Sequence, residues 1–215
     1  MARKNFSIVI ADDHPLLLTG LKEELLSNQY NVVAEASNGI QALEIILKFK
    51  PTLALLDIDM PLLTGLEVIR LAKEKESETK FIVLSFHKEP IYVAQAKALQ
   101  ISGYLLKEDS FLEIEKCMEA VLEGREFFSN SFDTFSLKNA SVELKKLQLL
   151  TPSEITILKL IAQQMTTLAI ASALSVSSRT IEKHRSNIKL KLAIEGRTNV
   201  LTKWCLTHKN IALNL

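Results

Sequence analysis

With 215 residues, 47% of them hydrophobic, the chain can bury a sizeable core and has room for one large or two small domains. Its apolar runs fall short of a membrane span and residues 1 to 10 lack the apolar core of a signal peptide, so the sequence points to a soluble, cytoplasmic protein without contact to a membrane. The net charge of +1 conceals an asymmetry: residues 149 to 215 hold nine Lys and Arg against three Asp and Glu, a net of +6, which leaves −5 on the first 148 residues. A basic segment of that kind suits a polyanionic partner. Cys117 and Cys205 lack metal-ligand spacing and read as buried thiols in a reducing compartment.

Phe6 to Ile10 is a short apolar run that stops at Asp12 and Asp13. Pro15 suits the first turn of a helix, and Leu16, Leu17, Leu21, Leu25 and Leu26 recur at helical spacing up to Ser27. Tyr30 to Ala36 reads as a strand and Ile40 to Lys50 as a helix. Leu53 to Asp57 is an apolar run ending abruptly on a carboxylate, the signature of a strand buried on both faces, and Pro61 turns the chain away from it. A helix follows from Thr64 to about Lys75, then the strand Phe81 to Ser85, a helix from Pro90 to Leu99, the strand Gly103 to Leu106 and a helix from Phe111 to Glu123. Five strands alternating with five helices predict an α/β doubly wound, five-stranded parallel sheet.

In such a sheet the carboxyl ends of the strands converge. They deliver Asp12 and Asp13, Asp57, Ser85, and Lys107 directly after the last strand. Three gathered carboxylates repel one another unless a cation joins them, and an oxygen-rich site of this kind suits Mg²⁺. A phosphoryl group on Asp57 would add close to two negative charges, which Lys107, Ser85 and the metal can neutralise. Taken singly, the acidic pair reads rather as a helix cap and Lys107 as a surface residue; the five together at five strand ends argue for a site.

Phe127 to Lys146 has no clean apolar period and contains Ser129-Asn130-Ser131 and Lys138-Asn139-Ala140-Ser141, which places a linker over residues 126–148. This divides the chain into domains at 1–125 and 149–215. In the second, Thr151, Pro152 and Glu154 open a helix as cap, first-turn proline and third residue, with Ile157, Leu158 and Ile161 on one face. Thr167 begins a shorter helix, Ser175-Val176-Ser177 forms a tight connection, and Ser177 caps a third helix whose Ile181, Ile188 and Leu192 face inward. Helix, short turn, helix is the helix-turn-helix pattern. Arg179, Glu182, Lys183, Ser186 and Lys189 fall on the solvent side of the third helix, with Arg185 and Lys191 on its flanks. Such a face is either merely solvated or, as second helix of the motif in a basic unit, a reader of the DNA major groove. In the latter case Lys183 can donate to guanine or phosphate, Glu182 can accept from cytosine N4, and Ser186 can serve either.

Residues 1 to about 125 resemble the receiver domain of bacterial two-component response regulators, through Asp12-Asp13, Asp57 in Leu-Asp-Ile-Asp-Met-Pro, Ser85, and Lys107 in Gly-Tyr-Leu-Leu-Lys, with Gly65 and Tyr104 also matching. The resemblance implies a flavodoxin-like sheet in the order 2-1-3-4-5, Mg²⁺ at Asp12, Asp13 and Asp57, and phosphorylation of Asp57 by a sensor histidine kinase. It also implies a switch in which Ser85 moves toward the phosphoryl group and Tyr104 rotates inward. Residues 149 to 215 resemble the LuxR-type four-helix DNA-binding domain, through Leu-Thr-Pro-Ser-Glu, Leu-Ile-Ala, Ile-Ala-Ser-Ala-Leu-Ser-Val-Ser and Thr-Ile-Glu-Lys-His-Arg. Together they imply a NarL/FixJ-type transcription factor that binds double-stranded DNA as a homodimer when phosphorylated, and no enzyme.

The chain departs from these patterns at several positions. Phe86 stands where receivers carry a small residue and narrows the approach to Asp57. Glu108 replaces a frequent Pro. Asp59 and His87 occupy the two variable positions beside the phosphoryl site, either as an ordinary surface pair or as a gate for water. In the second domain Gln164 replaces a usual Gly, and Leu168-Ala169 replace polar residues, so that Leu168 with Ile155 marks a candidate contact surface. Two other functions fit parts of the sequence: a metal-dependent phosphohydrolase using Asp57 as nucleophile and Asp59 as acid or base, and a regulator that is never phosphorylated.

Overall fold

Leu53–Asp57 forms the central strand β3 of a parallel sheet, and all five of its residues are buried, as helices on both faces require. In the computed structural model, which describes residues 6–132, 134–196, 199–213 and 215 (backbone alone at 134–137 and 210), the chain divides into compact units at 1–137 and 138–215. The first unit runs β1 (Ser7–Ala11), α1 (Pro15–Ser27), β2 (Asn31–Ala36), α2 (Gly39–Phe49), β3, α3 (Gly65–Glu74), β4 (Lys80–Ser85), α4 (Pro90–Ala98), β5 (Gly103–Leu106), α5 (Phe111–Leu122) and β6 (Phe127–Phe128). The sheet order is β2-β1-β3-β4-β5-β6. The expected five strands are therefore joined by a sixth, inside the segment read as linker. It pairs parallel to β5, with Phe127 N donating to Ser102 O at 2.9 Å and Ser129 N to Tyr104 O at 2.8 Å. Two residues are too few to show an alternating pattern, so only the open edge of β5 reveals this strand.

Ile8, Ile10, Leu25, Leu53, Leu55, Ile82 and Leu105 form the core between β1, β3, β4, β5 and the helices α1 and α5. Only part of the leucine series on α1 contributes: Leu25 is buried, while Leu16 is 88% exposed and Leu17 and Leu26 also face solvent. Backbone closure beside the site depends on Gly65, because a Cβ there would lie 2.0 Å from the carbonyl oxygen of Asp57. A reciprocal cap of Thr64 with Glu67 starts α3 at the same place. Burial pushes the thiols of Cys117 and Cys205 up to about 12, which keeps both protonated.

In the second unit the rest of the expected linker is helical, as α6 (Thr134–Gln148), which begins before the division between the units. Then come α7 (Pro152–Ala162), α8 (Thr167–Ala173), α9 (Ser178–Lys191), α10 (Val200–Thr207) and a short α11 (Lys209–Leu213), among the described residues one helix more than the four expected. α9, α10 and α11 all pack on α7, and α8 packs on α9. Ile157, Leu158, Ile161, Ile170, Ile181, Ile188 and Leu201 are buried there. The turn from α8 to α9 closes with Ser175 N on Ser172 O at 3.2 Å and Val176 N on Ala171 O at 3.0 Å, after which Ser177 Oγ accepts from Thr180 N at 3.1 Å to start α9.

Candidate functional site

The carboxyl edge of the sheet brings the sequence-predicted acidic residues together. Lys107, whose side chain is 4% exposed, bridges two of them: its Nζ lies 2.8 Å from Asp12 Oδ2 and 2.9 Å from Asp57 Oδ2. Asp12, Asp13, His14 and Asp57 each place a ligand atom within 4.8 Å of the others. His14 escaped the sequence reading; its Nδ1 lies 3.1 Å from Asp12 Oδ1 and 2.9 Å from Asp13 Oδ1, and its only signal was adjacency to the acidic pair. Burial pushes the Asp57 carboxyl above the usual carboxylate range, Lys107 counters this in part, and the charge of Asp12 adds to it. Burial also works against the Lys107 ammonium, but Asp12 and Asp57 outweigh it and hold its pKa above the ordinary value. Asp13 Oδ1 and Asp57 Oδ2 are buried, faced by His14 Nδ1 and Lys107 Nζ, and with Asp12 they make an oxygen-rich donor set of the kind a hard divalent cation takes.

Beside this pocket, β4 delivers Ser85, which is fully buried and accepts from His87 N at 3.1 Å. Tyr104 is also fully buried: its hydroxyl hydrogen-bonds with Ser85 and donates to His87 O at 3.2 Å. Phe132, from beyond β6, meets the Tyr104 ring edge-on at 5.1 Å and is itself buried; nothing in the local sequence indicated that contact. Phe86 is 59% exposed, with the Lys107 ammonium 5.3 Å from its ring centre. Asp59 and His87 form a built pair, Oδ2 to Nε2 at 2.8 Å, with the imidazole stacked on Tyr92 at 3.9 Å. Burial lowers the His87 pKa, but Asp59, Glu89 and Asp57 together outweigh burial and raise it.

On α9, Arg179, Glu182, Lys183 and Ser186 are exposed and Lys189 is half-buried, so the five residues share the outer side of that helix. Two flanking cations serve inside the unit instead of on that face. Arg185 Nη2 donates to Thr202 Oγ1 at 2.9 Å. Lys191 Nζ reaches the buried Glu154 Oε2 at 2.6 Å. Burial raises the Glu154 pKa, yet Lys191 and the bonds from Thr151 prevail and hold it below the usual range. Thr167, at the start of α8, donates to Glu182 Oε1 at 2.8 Å, a contact across 15 residues that spacing did not show. Leu168 is 73% exposed, whereas Ile155 is half-buried.

Two family models match the chain: the response regulator receiver domain over residues 8–119, and the luxR family of bacterial regulatory proteins over residues 148–203. The transcriptional regulatory protein MctR of Rhizobium johnstonii is 35% identical over 208 residues, which span 96% of this chain and 95% of MctR. RcsB of Salmonella enterica serovar Typhimurium, solved bound to promoter P1flhDC in the presence of the phosphomimetic BeF3-, is 26% identical with a TM-score of 0.68, covering 94% of this chain and 98% of that one. A structure of two RcsB dimers bound to two parallel DNAs covers the same shares at 26% identity and a TM-score of 0.60. These are transcription regulators rather than enzymes, which sets the phosphohydrolase reading aside. The chain belongs to the response regulators that join a receiver domain to a LuxR-type DNA-binding domain, and is a DNA-binding transcriptional regulator.

Proposed function

We propose that a sensor histidine kinase phosphorylates Asp57, and that this modification controls homodimerisation and the hold of α9 on double-stranded DNA. The observation that carries the reading is the Lys107 bridge between Asp12 and Asp57 at the mouth of a buried acidic pocket. Asp57 is the nucleophile: a carboxylate oxygen bonds to phosphorus while the nitrogen–phosphorus bond of the donor breaks, leaving an acyl phosphate. Asp12, Asp13 and Asp57 would hold Mg²⁺, which when bound neutralises charge on the transferring group. Lys107 lies within reach of the same oxygens, and Ser85 gives its hydroxyl to the new group on exchanging its present partners. On α9, Arg179, Lys183 and Lys189 supply phosphate contacts, and Glu182 and Ser186 meet base edges. RcsB is described on DNA as dimers, and a homodimer of this chain would present α9 to two half-sites. A protein of this kind works in the cytoplasm, where the DNA lies.

The test is labelling of the purified chain by acetyl phosphate with Mg²⁺. Wild type should take up one phosphoryl group, whereas Asp57→Asn, nearly isosteric but not nucleophilic, should take up none while remaining folded. Equal labelling of both would move the acceptor elsewhere, and no labelling of wild type would favour a regulator that works without phosphorylation.

A further inference from the structure

The middle of the exposed face of α9 is restricted in what it can offer a base pair. Glu182 is a carboxylate with no proton to give, and its Oε1 accepts the Thr167 hydroxyl at 2.8 Å. That bond ties the side chain to the first residue of α8 and leaves its remaining lone pairs to act as acceptors. Ser186 lies one turn further on the same side. Its hydroxyl donates to the Glu182 carbonyl at 3.0 Å, so its proton is engaged, and turning it toward an acceptor would break that bond. A recess of about 280 Å³ lined by Thr167, Glu182, Ser186 and Lys189 opens beside the pair. Two neighbouring acceptors therefore stand among the surrounding cations.

In the major groove the donors are the exocyclic amines, N4 of cytosine and N6 of adenine; guanine N7 and O6, adenine N7 and thymine O4 are acceptors. A carboxylate facing an acceptor sets lone pair against lone pair, which discriminates by repulsion as well as by attraction. We infer that Glu182 and Ser186 read exocyclic amines on neighbouring base pairs of the operator, and that Thr167 is the positioning residue that holds Glu182 for this. The inference rests on the DNA-binding reading above. Thr167 touches no base in this arrangement; it acts through Glu182.

The full chain, treated with beryllofluoride and Mg²⁺, is first used to select a binding site from randomised duplexes. Glu182→Ala then identifies the base pair at which discrimination falls. That pair is resynthesised in two forms: one lacking the exocyclic amine, through pyrimidin-2-one or purine, and one lacking the purine N7 acceptor, through its 7-deaza analogue. Wild type should bind about tenfold more weakly when the amine is removed and be indifferent to loss of N7. Glu182→Ala should lose the amine dependence, which also controls for altered base pairing. Thr167→Val should weaken discrimination at that pair while affinity for random DNA stays unchanged, add nothing in the double variant with Glu182→Ala, and be rescued by Thr167→Ser. Amine removal without effect, sensitivity to N7 alone, or a Thr167→Val variant with full discrimination would overturn the inference and leave DNA binding standing. A chain that selects no sequence would overturn both.

Discussion

Phe86 is a departure from the receiver pattern, 59% exposed beside the proposed phosphoryl-acceptor site. Its ring lies beside the buried Lys107 ammonium that bridges Asp12 and Asp57, and we propose that it narrows the approach that a small residue would leave open. Phe86→Ala should raise both the rate of phosphorylation by small donors and the rate of spontaneous dephosphorylation severalfold, read as one time course of labelling and one of decay. Unchanged rates in both would mean that the ring guards nothing. Asp12, Asp13, Asp57, Ser85 and Lys107 were legible in the sequence because each closes an apolar run, and the doubly wound fold brings such ends together. His14, Phe132 and Thr167 were not, because their roles depend on partners found only through space.

At the scale of elements, α7 illustrates both what local chemistry announces and what it conceals. Thr151 and Glu154 form the reciprocal cap that their spacing promised. At the other end Gln164 sits at φ 65, while Gln164 N bonds to Ile161 O at 2.9 Å and Met165 N to Leu160 O at 3.1 Å, a closing geometry suited to glycine. Gln164→Gly should therefore stabilise the second unit by about 1 kcal/mol, net of the extra freedom of the unfolded chain; a urea midpoint that falls would contradict the strain. The ion pair of Lys191 with Glu154 links α9 to α7 and was invisible to periodicity, since Glu154 read only as part of the α7 cap and Lys191 as a flank of the outer face of α9. Because the folded Glu154 has its pKa below the unfolded value near 4.5, its contribution is present above that pH and is lost as pH falls through the lower folded value. Lys191→Met should shift this loss to higher pH, measured as an acid-unfolding midpoint; an unmoved midpoint would show that the pair adds nothing. The segment after α5 was the least legible. Its two-residue β6 borrows hydrogen bonds from β5, and α6 carries its helix on residues without a clean apolar stripe.

For the whole molecule, the opposite charges of the two halves foreshadowed the division of labour between an acidic pocket that suits metal and phosphate and a basic unit that meets DNA. What composition does not encode is the proposed control of one by the other. Under the proposed function Tyr104 would be a residue to follow, since it bonds to Ser85 on one side and packs against Phe132, beyond β6 in the same unit, on the other. The central claim is that chemistry at Asp57 controls DNA affinity, and the most direct measurement is the affinity of the full chain for its selected duplex with and without beryllofluoride and Mg²⁺, in wild type and Asp57→Asn, at one fixed salt concentration. Wild type should bind about tenfold more tightly with the fluoride complex, within the usual range for coupled sites, and Asp57→Asn should not respond. An affinity that stays the same in wild type, while fluorine resonance shows the complex formed on Asp57, would contradict the claim.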